Sequence, residues 1–416
     1  MKAYIVSLGC PKNLTDTEVL MSKLASEGYS FTDDPKEADL ILVNTCAFLQ
    51  AAKQEAIDTI KELAKYKGLG VRGQGLGKCK NLIVAGCLPQ RYKHEMPKLL
   101  PEVDAFIGTP GKFAKAQAQA QVVKATPPWF AYVKIAEGCN NRCAYCIVPA
   151  IRGPLRIRLM KDILNEVKLL AATGVKEIIY VAQDTAAYPN FPALLQKTAR
   201  IKGVRWIRIL YAHPAHVTDK LIEVIAKEKK IVKYLDLPIQ HCHDKILKLM
   251  RRRYERPALE NLIAKIRRRI PRIALRTSVI VGFPGEGEAE FEALLAFIKK
   301  VKFDRLGVFT YSQEPGTPAS KMRGQVSEQK KQQRFHRLMR AQSRICRGSN
   351  KKMIGTTLAT IIERSVRHGF IGRTFRDAPD IDGTVFVRST KSLSPGELVS
   401  VRIIGARTYD LIGCLT

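Results

Sequence analysis

The sequence predicts a multidomain α/β chain: an N-terminal open α/β parallel sheet, a central full or partial (β/α) barrel, and a C-terminal small antiparallel β-barrel. Three observations point there. The chain has 416 residues, enough for two or three domains at ~150 residues each. Strand-like and helix-like segments alternate over most of it, the pattern of parallel sheets covered by helices. The last part changes to short β-rich runs separated by Gly turns.

The first section is expected to span 1–125. Ala3–Leu8 reads as a strand, and Thr15-x-x-Glu18 as a capping box opening a helix to about Ser26. Asp39–Asn44 is a second buried strand and Ala47–Lys65 a long helix. Leu82–Ala85 and Ala105–Ile107 complete the strands. Gly68–Gly77 is a loop, but no Gly-Lys-Ser/Thr follows, so it is not a phosphate loop. Lys115–Ala125 reads as a polar connector, broken at Pro127-Pro128.

The second section covers 126–348. Strands are expected at Tyr132–Ala136, Glu177–Ala182, Val204–Tyr211, Tyr234–Leu237, Ile273–Val281 and Arg305–Thr310. Helical patterns lie between them, and the section closes on a long basic helix, Ser327–Arg347. Such βα units suggest a full or partial barrel. The third section, 349–416, carries Leu358–Glu363, Phe370–Phe375, Thr384–Val387, Leu398–Gly405 and Asp410–Cys414 as strands, with turns at Asp382-Gly383 and Pro395-Gly396.

Charge narrows the partners. Lys plus Arg is 70 and Asp plus Glu 38, a net of +32. Lys245–Arg276 holds twelve Lys/Arg against two Asp/Glu, and Lys321–Lys352 eleven against one. A solvated helix face explains one such block. Two blocks favour a polyanionic partner, RNA or a ribonucleoprotein. No stretch of 18 uncharged apolar residues exists, so no membrane span is expected. The apolar start is too short for a secretion signal, which predicts a cytoplasmic protein. There, ten cysteines read as metal ligands or catalysts and not as disulfides.

The sharpest motif is Cys139-x3-Cys143-x2-Cys146, placed after the first barrel strand. Active sites of β/α barrels lie at that end of the strands. Three thiolates this close can hold a [4Fe-4S] cluster and leave one iron open for chemistry. The competing readings are a zinc knuckle or three buried apolar cysteines; a zinc site wants a fourth Cys or His nearby. Cys10, Cys46 and Cys87 form a second set, each just after a parallel strand. Loops at the carboxyl ends of such strands converge on one crevice. A second cluster there, or three separate buried cysteines, are both open on spacing alone. Cys79 precedes its strand, and Cys242, Cys346 and Cys414 lack partners.

The Cys139–Cys146 triad on this barrel resembles the radical S-adenosylmethionine superfamily. The resemblance implies that the open iron chelates S-adenosylmethionine and that one electron releases a 5′-deoxyadenosyl radical, which abstracts hydrogen from an unactivated carbon. No acid or base in a protein removes a proton from such a carbon, so a cofactor must carry the step. SLGCPKN at Ser7–Asn13, NTCAF at Asn44–Phe48, AGCLPQRY at Ala85–Tyr92 and GCNNRCAYCIVPAIRG at Gly138–Gly153 extend the likeness. With them the chain resembles the methylthiotransferases over nearly its full length. That family implies a second cluster on Cys10, Cys46 and Cys87, a C-terminal TRAM barrel, and replacement of C–H by C–S–CH3. It also implies a sulfur donor and an electron donor, neither of which the sequence identifies.

The substrate branches two ways in that family: a tRNA adenosine beside the anticodon, or an aspartate of small-subunit ribosomal protein S twelve. GCPKN at Gly9–Asn13, AQDTAAY at Ala182–Tyr188, YLDLPIQH at Tyr234–His241, VFTYSQEPGTPA at Val308–Ala319 and RDAPDIDG at Arg376–Gly383 resemble the ribosomal-protein branch. That protein is itself basic, so recognition within the small subunit or its RNA is expected. The third section is only weakly basic and carries the acidic run Asp377, Asp380, Asp382. A function of another class, a non-catalytic zinc-holding RNA-binding module, stands as the alternative.

Further cofactor candidates follow from strand ends. Gln183-Asp184 ends the second barrel strand, where the resemblance places contacts to the amino group of S-adenosylmethionine. Gln240 ends the fourth strand. Arg276 lies in the fifth strand, with a fork that suits a carboxylate. Gly282, just after that strand, lets backbone approach a ligand. His213-x-x-His216 and His241-x-His243 invite zinc, but no third ligand is spaced to join either pair.

Overall fold

The computed structural model describes residues 1–68, 76–110 and 123–416. Most of the Gly-rich loop and of the polar connector lies outside these residues. The first sheet contains β1 (Lys2–Ser7), β2 (Ser30–Phe31), β3 (Leu40–Thr45), β4 (Asn81–Gly86) and β5 (Ala105–Ile107) in the order β2-β1-β3-β4-β5. All its pairings are parallel. Every residue of β3 is buried, as expected for a strand covered on both faces.

Two helix starts differ from expectation. The first helix runs Pro11–Ser26, not from the Thr15 capping box. Proline at the first helical position has its φ preset and loses no hydrogen bond. Thr15 therefore sits inside the helix, with its hydroxyl donating to Lys12 O at 2.8 Å. Glu18 instead accepts from the Ala125 N–H. The second helix begins at Gln50, not Ala47, and its Gln50 N–H donates to Glu314 of the second unit at 2.9 Å. A tertiary contact sets that boundary.

The second sheet begins with β6 (Phe130–Lys134). A two-stranded ribbon follows, β7 (Ala136–Glu137) with β8 (Arg156–Ile157). Then come β9 (Glu177–Val181), β10 (Trp206–Ile209), β11 (Ile231–Asp236), β12 (Ala274–Val281) and β13 (Arg305–Thr310). The order is β13-β12-β11-β10-β9-β6, all parallel. Edge strands β6 and β13 do not pair among the described residues, so the barrel is partial. One face packs on helices through Val133, Ile178, Ile207 and Leu275. The other is lined by Phe130, Tyr132, Ile179, Trp206 and Tyr234.

The third unit is a closed barrel of β14 (Thr357–Val366), β15 (Gly369–Thr374), β16 (Val385–Arg388), β17 (Leu398–Ala406) and β18 (Leu411–Leu415). Its pairings are antiparallel apart from β16 with β18. Ile361, Phe375 and Ala378 of this barrel, and Leu14 of the first helix, join the inner-face core of the second sheet. All three units thus meet on that face.

Candidate functional site

The first cysteine trio is built by three strand ends. Cys10 caps the helix that follows β1, Cys46 follows β3, and Cys87 opens the short helix after β4. The loops are tightly interlocked. Gly9 has φ +96°, and a Cβ there would lie 2.6 Å from Cys46 Cβ. Only glycine fits that approach and that backbone. Burial pushes the Cys46 thiol up to about 11, and the neighbouring Cys10 and Cys87 sulfurs add to the rise. Burial would raise Cys10 too, yet Lys12, the Asn13 N–H and Arg152 together hold it below the ordinary thiol range. A thiolate is the metal-binding form, so those cations favour ligation.

The second trio lies on the loop after β7. Gly138 has φ +78°, and a Cβ there would clash with Pro154 O at 2.1 Å. The loop is anchored by Ala144 N–H to Met250 O at 3.0 Å and by Ala319 N–H to Ala144 O at 2.9 Å. Arg252 donates to Cys143 Sγ at 3.6 Å, to Tyr145 Oη at 3.4 Å and to Pro238 O at 2.5 Å. Burial pushes Cys146 up to about 12. Burial, then the Asp184 carboxylate, also raise Cys139. Metal coordination offsets such costs, because it deprotonates a thiol outright.

A buried polar network joins the two trios. Arg152 donates to Cys87 Sγ at 3.2 Å, to Asn13 Oδ1 at 3.1 Å and to Asp16 at 2.5 Å. It also reaches Glu137 at 3.3 Å. Lys134 pairs with Asp16 and, at 2.7 Å, with Glu137. Glu137 then accepts from Gln183 Nε2 at 2.7 Å. The adjacent Asp184 accepts from Asn141, inside the second cysteine loop, at 2.9 Å. Lys12 stands 3.3 Å above the Tyr211 ring, whose backbone is left-handed at φ 61°. One buried polar network therefore links the two trios.

The other sequence candidates divide. Gln183 Oε1 is a buried acceptor without a partner among the described residues, which suits an ammonium donor. Gln240 has φ 66° and bridges to β12 through its backbone. The Arg276 fork is already engaged, by Asp236 at 2.9 Å and Asp382 at 3.6 Å. Gly282 offers its N–H to both Glu286 oxygens at 3.0 Å, and a Cβ there would meet Lys331 Cγ at 2.3 Å. The chain that approaches this glycine is its own lysine.

The expectation that no third ligand joins His213 and His216 is corrected. Asp184 completes a set whose ligand atoms lie within 4.8 Å of one another. Protein bonds already occupy it: His216 Nδ1 meets Asp184 at 2.6 Å, and His213 Nδ1 accepts from Ala215 N–H at 3.2 Å. Sequence reasoning did not single out Asn13, Asp16, Lys134, Glu137, Asn141, Arg152 or Arg252. Asn13, Asn141 and Arg152 did stand in two of the quoted motifs.

The chain matches three family models: an uncharacterized protein family, UPF0004, over residues 2–108, the radical SAM superfamily over 133–298, and the TRAM domain over 354–415. It is 44% identical to the ribosomal protein uS12 methylthiotransferase RimO of Pelobacter propionicus, covering 99% of this chain and 97% of that one. It is 45% identical to the protein of that name from Geobacter sulfurreducens, covering 99% and 98%. A solved structure of the radical S-adenosylmethionine methyltransferase TsrM from Kitasatospora setae, with tryptophan substrate and a SAM analog bound, superposes with a TM-score of 0.56 at 13% identity, covering 83% of this chain and 89% of that one. At that identity the likeness concerns the fold.

Proposed function

The chain belongs to the ribosomal protein uS12 methylthiotransferase RimO family, and from that premise we propose that it replaces a β-C–H of an aspartate of that ribosomal protein by C–S–CH3. Membership of the radical SAM superfamily brings a [4Fe-4S] cluster and S-adenosylmethionine. We assign that cluster to Cys139, Cys143 and Cys146, and a second one to Cys10, Cys46 and Cys87. When bound, these groups supply one-electron cleavage of S-adenosylmethionine and the sulfur to be transferred. The observation that carries the reading is the continuous path from Cys87 through Arg152 and Glu137 to Gln183, which supports one chamber served by both centres.

The chain's own residues then have defined tasks. Gln183 Oε1, a buried acceptor without a partner among the described residues, would accept from the ammonium of S-adenosylmethionine, with Asp184, held by Asn141 and His216, next in the chain. Arg152 and Lys12 balance the charge of the first thiolate trio. Units spanning 1–125, 126–348 and 349–416 each give one part: the sulfur centre, the radical centre, and a barrel that packs on the inner face of the second sheet. No helix among the described residues is long and apolar enough to cross a membrane.

The test is the intact mass of small-subunit ribosomal proteins from cells with and without this enzyme. The expected result is a shift on uS12 alone, by the mass of S and CH2, mapped to an aspartyl peptide. An unshifted uS12 together with a methylthio nucleoside in digested tRNA would overturn the assignment.

A further inference from the structure

A concavity of about 770 Å3 opens on the outer side of the second cysteine loop. Five of its lining side chains are exposed cations: Lys245, which pairs with Glu290 at 2.7 Å, and the four Arg142, Lys248, Arg251 and Arg253. None of the four has an ion-pair partner among the described residues. Arg142 and Arg251 hold left-handed backbone at φ 52° and 56°, a conformation that long side chains avoid. The two lining acids, Asp244 and Glu255, are outnumbered by the cations, and Asp244 already accepts from Arg256 N–H at 2.6 Å. Gln183, Asp184 and Gln240 are absent from the lining, so this is not the reaction chamber.

The wall is one side chain thick. Arg252 lines the concavity and also donates to Cys143 Sγ at 3.6 Å. Asn141 lines it and bonds to Asp184 at 2.9 Å. A radical centre must receive an electron from outside, and this is a place where a partner comes close to the sulfur trio without blocking the chamber. Exposed cations in a concave wall select an acidic partner and speed its encounter.

We propose that this concavity is the docking surface for an acidic, low-potential one-electron carrier protein that reduces the Cys139–Cys143–Cys146 centre. In that step one electron leaves the carrier, which is oxidised, and enters the centre, which is reduced; no covalent bond forms or breaks. The inference rests on the methylthiotransferase reading and adds the route by which its electron arrives. RNA, the rival polyanion, brings no electron.

The experiment uses anaerobically prepared holoenzyme and flavodoxin as the probe. Wild-type protein is compared with a Lys248→Glu/Arg253→Glu variant. Affinity is read from flavin fluorescence at several salt concentrations, and electron delivery from bleaching of the cluster absorbance by reduced flavodoxin. The expected result is wild-type binding that weakens with salt, and a loss of about tenfold or more in both affinity and reduction rate in the variant. Reduction by dithionite and dithionite-driven cleavage of S-adenosylmethionine stay unchanged. Equal flavodoxin binding by the two proteins overturns the proposal. So does a loss of affinity for a small-subunit ribosomal RNA helix with flavodoxin binding intact. Failure of dithionite to drive cleavage in the wild type would instead count against the function, while the binding arm still decides the docking surface.

Discussion

Arg152 concentrates more of the site than any residue outside the six candidate ligands. Its guanidinium touches Cys87, Asn13, Asp16 and Glu137 at once. Hydrogen bonds and positive charge at a ligand sulfur favour the reduced, more negative cluster and raise its potential. An Arg152→Gln variant is therefore expected to lower the midpoint potential of the Cys10–Cys46–Cys87 centre and leave that of the other unchanged. Arg152→Lys should restore part of the shift, because charge returns without the fork. Electron paramagnetic resonance during redox titration reads both. The cysteines give a second prediction. Cys143→Ala should abolish S-adenosylmethionine cleavage, while Cys46→Ala should cleave it and transfer no sulfur; product chromatography separates the two. The thiols were legible in the sequence because their chemistry is rare and their spacing local. Arg152 was not, since its partners Cys87 and Asn13 lie 65 and 139 residues away.

The strands and helices show how tertiary contacts reassign charge. The basic helix runs Glu328–Lys351, one turn beyond the expected end. Asn350 donates to Arg407 O and Thr408 O, and Ser349 to Asp304, which hold that turn in place. Its cations are also less available than their number suggests: Arg334 pairs with Glu286 and Arg337 with Glu288, both at 2.8 Å. Two members of the acidic run, Asp377 and Asp382, turn inward, while Asp380 stays exposed. Asp377 meets Arg305, and Asp382 accepts from Tyr234 at 2.7 Å. Glu177 sits fully buried between Arg208 at 2.7 Å and Arg373 at 2.6 Å. Removing one partner of such a set leaves buried charge uncompensated, which costs about 3–5 kcal/mol. Glu177→Gln should lower stability to urea by about that much. Glu18 supplies a pH test at the first helix. Burial holds its carboxyl up at about 7, above the ordinary 4.5. The folded state thus binds the extra proton between those values, and its stability falls as pH rises across them. Glu18→Gln should flatten that slope in urea midpoints measured against pH.

At the scale of the whole molecule, the C-terminal barrel is part of the core. Its residues Arg373, Arg376, Asp377 and Asp382 pair with Glu177, Asp304, Arg305 and Arg276 of the second sheet. A chain ending at 348 would expose the inner-face core and strand those charges, so it is expected to lose cooperative unfolding and resist refolding. Limited proteolysis and calorimetry would detect it. The amino-acid sequence by itself determined the order of the three units, the six candidate ligands and the family, because each rests on local periodicity or short motifs. Only the tertiary structure decided that one polar network links the two trios, that Arg276 pairs with Asp382, and which of the cations stay free. Those outcomes depend on side chains brought together from opposite ends of the chain, and burial and pairing are properties that no local pattern encodes.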